Sequence, residues 1–149
     1  MTNWIRGLAV LAGVVTTVMA VPAGAGDAQP SAEARAIVSR QFDAFARDDA
    51  AGAYAQVTPS LKMTFTDPDV FIGMVRNRYA PVYRHRDVDF GDAEVEGDAM
   101  TITATLVDGD NQLWTALYTL ERQPDGRWLI NSCKLIRPLE SALRTGRQS

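Results

Sequence analysis

Between residues 81 and 136, four runs of alternating apolar and polar residues are separated by three turn signals, and this pattern constrains the fold more than any other feature of the chain. Gly97-Asp98 joins the run 81–96 to 99–108, Gly109-Asp110 joins that run to 111–122, and Pro124-Asp125-Gly126 leads into 127–136. The first two turns have glycine leading a two-residue loop, which suits a type II′ turn. The third offers proline at the second turn position and glycine for the left-handed position of a three-residue hairpin. Loops this short join antiparallel neighbours, so an antiparallel meander is expected.

Turn length also sets register. With the loops as read, Ile102, Ala104, Leu106, Leu113, Leu117, Leu129, Cys133 and Leu135 share one face, and Thr101, Thr103, Thr105, Trp114, Tyr118, Trp128 and Ile130 share the other. In the first run the apolar parity changes from even (Val82, Val88, Phe90) to odd (Ala93, Val95) across Gly91, as at a β-bulge, which leaves Tyr83, His85, Asp87 and Asp89 on the aromatic face. A slip of one residue would invert each assignment. On this register both faces are apolar while helices cover only one: either the aromatic face is left for a ligand or partner, or it lines the inside and the aliphatic face is half exposed. Tyr79, Trp114, Tyr118 and Trp128 are therefore candidate ligand or interface residues, and a homodimer through the sheet is expected.

The first half of the domain reads as helical. Residues 26–30 are expected to form a short disordered linker, and Ser31 is a good N-cap for a helix with Ile37, Val38, Phe42 and Phe45 at helical spacing. A second helix is expected from Asp49 to Val57, ended by Thr58-Pro59, followed by a short extended piece at 62–66. Asp67-Pro68 opens a third helix with Val70, Phe71, Met74, Val75 and Tyr79 on one side, stopped by Pro81. The fold class is α+β, with N-terminal helices packed on a curved antiparallel sheet of four to five strands.

Residues 1–25 have the layout of a secretory signal peptide: Arg6, an apolar run from Leu8 to Val21 that is too short to span a bilayer, then Pro22 and small residues, with cleavage expected after Ala25 or Ala23. The expected location is periplasmic or secreted, with no membrane span once the leader is removed. What remains is a linker at 26–30, one domain at 31–137 and a C-terminal tail at 138–149. The 15 basic and 18 acidic side chains leave a net charge of −3, which argues against a nucleic-acid partner. A single cysteine, Cys133, excludes an internal disulfide, so stability must come from packing.

The order helix, helix, short extended piece, helix, then four antiparallel strands resembles the nuclear transport factor 2-like cone of the cystatin-like superfamily. More narrowly, Ile37 with Gln41-Phe42 and Phe45, Tyr54 with Pro59, Phe71 with Met74-Val75, Tyr79-Ala80-Pro81-Val82, Trp114 with Tyr118, and Asp125-Gly126-Arg127-Trp128 with Ile130 are similar to the secreted proteobacterial family called domain of unknown function 4864. The resemblance implies a fold and a compartment rather than an activity. Wider relatives include ketosteroid isomerase and polyketide cyclases as well as non-enzymatic binding domains.

Among reactive groups, His85 is the only histidine, and Tyr83, His85 and Asp87 alternate toward one face, which makes them the candidate catalytic residues. Same-face neighbours on a strand lie roughly 7 Å apart, so direct contact between His85 and Asp87 is not implied. An isomerase of the ketosteroid type needs a carboxylate base and buried donors around an apolar cavity; here the first helix offers Phe42 and Phe45 instead of a tyrosine. No phosphate loop, metal-ligand motif or nucleophile elbow is present, and no cofactor or metal is expected. Arg76, Arg78, Arg84 and Arg86 flank the end of the third helix, either to hold an anionic ligand or as a solvated basic rim balanced by Asp87, Asp89 and Asp92. The sequence thus points to an exported, non-catalytic binding or interaction module for a small apolar or anionic ligand. The alternative is an isomerase, lyase or cyclase with its site in the cone cavity.

Overall fold

The structure, a computed structural model, describes residues 25–137. Residues 1–24 and 138–149, where a leader and a tail are expected, lie outside the described residues. Helix α1 runs from Ala25–Ala46 and takes in residues 26–30, expected to be irregular, with Pro30 inside it. Ser31 is therefore a buried interior residue and not a cap; its Oγ accepts a hydrogen bond from the Ala93 amide at 2.8 Å, tying α1 to the sheet. Ile37, Val38, Phe42 and Phe45 are all buried, as their spacing predicts, each stabilising the fold by about 2 kcal/mol relative to exposure.

Helix α2, Ala50–Ala55, is capped by Asp49, whose carboxylate accepts from the Gly52 amide at 2.9 Å. The extended piece expected at 62–66 is instead largely part of helix α3, Pro59–Thr64. Thr58-Pro59 is a start signal rather than a stop: Thr58 caps the Leu61 amide, and proline at the first position has no amide to leave unpaired. Helix α4, Pro68–Arg78, begins at Asp67-Pro68 as read, with the Asp67 carboxylate accepting from the Asp69 amide at 2.7 Å. Its buried face is Phe71, Ile72 and Val75; Val70, expected on that face, is 59% exposed. The start of the expected first strand is a single helical turn, α5, Ala80–Tyr83, with Pro81 in its opening residues.

The sheet comprises β1 Asp87–Phe90, β2 Glu94–Glu96, β3 Ala99–Val107, β4 Leu113–Arg122 and β5 Trp128–Ile136, all antiparallel to their neighbours. Both β1 and β2 pair with β3, and the register moves by one residue between Phe90↔Ala104 and Val95↔Met100. This is the bulge that the change of parity predicts. Gly91 is required there, because a Cβ would stand 2.6 Å from Thr103 Oγ1. The strands at the two ends of the order do not pair with each other, so the sheet is open where the resemblance implied a cone.

Two irregularities correct the expected faces. After β3 the Asp108 amide donates to the Gln112 carbonyl at 3.0 Å, and Asn111, with φ of 60°, supplies the left-handed position. The loop is thus three residues long, built on Asn and not Gly, with Asp108 Oδ1 accepting from the Asp110 and Gln112 amides at 2.9 Å. The added residue slides β4 by one position, setting Ile102 opposite Tyr118 and Leu106 opposite Trp114. In β5 a register shift beside Leu120 leaves Asn131 as the extra residue, so Trp128 and Ile130 before it and Cys133 and Leu135 after it face the helices together. The aromatic set and Ile102, Ala104, Leu106, Cys133 and Leu135 therefore share the inner face. The outer face carries Thr101, Thr103, Thr105, Thr115 and Thr119, with Val107, Leu113, Leu117, Leu129 and Ile136. A sheet that is aromatic outside, the ground for expecting a dimer through it, is not what these registers build.

Candidate functional site

A cavity of about 480 Å³ lies between α3, α4 and α5 on one side and β4 and β5 on the other. Its position follows from how the segment after α2 meets the sheet. Residues 56–58 add to the edge of β5: the Ile130 amide donates to the Gln56 carbonyl at 2.8 Å, and the Thr58 amide donates to the Ile130 carbonyl at 2.9 Å. The bulged Asn131 receives the Thr58 hydroxyl on its Oδ1 at 3.0 Å, a contact that only the extra residue in β5 makes available. Tyr54 pins the far end of α3 by donating its hydroxyl to the Phe65 carbonyl at 2.7 Å. Phe71 stands between Phe45, Tyr54 and Phe65, with ring centroids 5.9–6.4 Å away, and forms an aromatic wall.

The rest of the lining is apolar, with a few polar atoms. Leu61, Met74, Val75, Val82 and Ile130 line the cavity, while exposed Arg78 and Ser132 mark its rim. Gln41 is buried and its amide nitrogen donates to the Ala53 carbonyl at 3.3 Å. Tyr118 is 1% exposed, and its hydroxyl makes no hydrogen bond of ordinary geometry, the Cys133 thiol beside it being its one weak partner. Burial raises its pKa well above the ordinary value, and Cys133 and Tyr79, both in the lining, lie close enough to that oxygen to add to the shift. The Cys133 thiol is pushed by burial up to about 12. Both groups are neutral at physiological pH, so the inner end of the cavity presents an O–H and an S–H and no charge.

Two of the four candidate ligand residues, Tyr79 and Tyr118, come together in this cavity. Trp114 lies beyond Tyr79 on a neighbouring groove, its indole N–H donating to Asp108 Oδ2 at 2.8 Å and its ring covered by Arg137 at 4.6 Å. Trp128 is buried near the start of α1, with Arg122 over its ring at 4.8 Å. The three candidate catalytic residues are dispersed. The Tyr83 hydroxyl donates to Asp48 and receives Arg76 at 3.0 Å. His85 packs on Phe42 with ring centroids 4.6 Å apart, and its Nδ1 is buried without a hydrogen bond of ordinary geometry. Burial lowers the His85 pKa, opposed by the Val82 backbone and the Asp87 charge. Asp87 is exposed and accepts from the Val88 amide at 2.9 Å. No group of three or more His, Cys, Asp or Glu among the described residues is arranged to hold a metal ion.

Leu61, Asn131 and Ser132 belong to the lining without having stood out in the sequence. Asn131 was the most legible of them, since a polar residue between Ile130 and Cys133 breaks the alternation where the bulge occurs. Fold and site together define a small α+β domain whose helices cover one face of an open antiparallel meander and leave an apolar cavity at its edge. The chain belongs to the family described as domain of unknown function (DUF4864), whose model matches residues 27–143. No curated protein and no solved structure matches it.

Proposed function

We propose that the protein is an exported, non-catalytic binding module that takes one small, largely apolar molecule into the cavity beneath α3 and α4. The observation that carries this reading is the apolar cavity of about 480 Å³ with the buried Tyr118 hydroxyl at its inner end, where only the Cys133 thiol, a weak partner, lies beside it. Pockets that hold small ligands combine this size with apolar walls and a few placed polar groups. Export rests on the leader at 1–25, and the element order supports an open relative of the nuclear transport factor 2-like arrangement. A non-catalytic role is favoured because His85 and Asp87 stand outside the lining, while Tyr118 and Cys133 are held neutral.

Titration with the neutral fluorescent probe N-phenyl-1-naphthylamine tests the reading. The expected result is saturable binding of one probe per chain, lost in a Met74→Trp, Cys133→Leu double variant that occupies the space and retains its native circular dichroism. Absence of saturable binding by the unaltered protein would overturn it.

A further inference from the structure

From the rim of the cavity we infer the chemical class of the ligand: an amphiphile whose apolar body fills the cavity, with a neutral hydrogen-bond acceptor at Tyr118 and an anionic group, such as a carboxylate, at Arg78. This rests on the cavity reading and extends it. Arg78 ends α4, is exposed, and lines both the cavity and the groove that continues past Tyr79 toward Trp114. Among the described residues it makes no hydrogen bond, ion pair or ring contact, unlike Arg76, Arg84 and Arg137. Arg84 binds Asp48 at 2.8 Å, Arg76 donates to Tyr83 at 3.0 Å, and Arg137 covers Trp114 at 4.6 Å.

The acids nearest this groove do not satisfy Arg78. Asp108 is occupied by the Trp114 indole and by two backbone amides of its loop, which lower its pKa, the Gln112 amide foremost; Asp110 lies on the same groove with Lys134. A fixed cation with several N–H donors at the mouth of an apolar cavity matches a carboxylate in both charge and geometry. At the inner end Tyr118 stays protonated, so it donates to a carbonyl, ether or hydroxyl oxygen and adds no repulsion to the anion at the mouth.

Two probes that share a naphthylamine body separate the anion from the body: N-phenyl-1-naphthylamine, which is neutral, and 1-anilinonaphthalene-8-sulfonate, which is anionic. The unaltered protein should bind the anionic probe more tightly. Arg78→Gln should weaken that probe by about five-fold, the effect of a partly exposed ion pair, and leave the neutral probe unchanged. Arg127→Gln, on the last hairpin, should change neither. If both probes bind alike and Arg78→Gln changes neither, the anionic class is overturned while the cavity reading stands; if neither binds, both fall. A purely helix-capping role for Arg78 would shift the melting temperature and leave the ratio of the two affinities untouched, which also counts against the proposal.

Discussion

A buried hydroxyl left without a good partner destabilises a fold by about 1–3 kcal/mol, and the Cys133 thiol beside Tyr118 is a weak one, so the hydroxyl is costly unless something else occupies the space next to it. Tyr118→Phe removes the oxygen and keeps the ring that packs edge-on against Phe42 at 5.9 Å. In ligand-free protein this variant should melt higher by about 3–6 °C, and it should bind acceptor-bearing ligands less tightly. Differential scanning calorimetry checks the first expectation. A lower melting temperature would mean that the hydroxyl serves the fold itself. At this scale the sequence was informative about residue type and silent about partners. Tyr79 and Tyr118 were recognisable because a tyrosine combines an apolar body with a polar tip. Arg78 was one of several arginines around the end of the third helix, and only the pairing of Arg76 and Arg84 with Tyr83 and Asp48 distinguishes it.

Among the elements, the helical stripe of α1, the Asp67-Pro68 start of α4, the two-residue turn at Gly97 and the three-residue turn ending in Gly126 were all legible, because each depends on local chemistry. The faces of β4 and part of β5 were not. They depend on counting residues through a loop, and Asn111 took the left-handed position that glycine was expected to fill. That one added residue, with Asn131 in β5, moved Trp114 and Tyr118 to the helix side and so created a cavity wall where an outer surface was expected. The bulge at Gly91 was legible because parity reports it directly. Gly91→Ala should destabilise the protein by about 1–2 kcal/mol, since the new methyl meets Thr103 Oγ1 at 2.6 Å, and Thr103→Ala should restore much of the loss. Equilibrium urea unfolding of the two single variants and the double variant measures both effects. No loss in Gly91→Ala would show that the bend tolerates a side chain.

At the scale of the whole molecule, one layer of helices is set on the inner face of an open sheet whose outer face mixes threonines with aliphatic residues, while the aromatic residues lie inside. What the helices leave unfilled is the space under α3 and α4, closed at its inner end by Tyr118 and opening beside Arg78. The most direct test is native mass spectrometry of the intact protein, released gently from the cells that make it. The expected spectrum carries one added mass per chain, on the order of 300 Da as suits a cavity of this size, whatever the oligomeric state, and loses that mass on denaturation. A spectrum of bare polypeptide under conditions that preserve other non-covalent complexes would contradict the claim that the cavity exists to be filled.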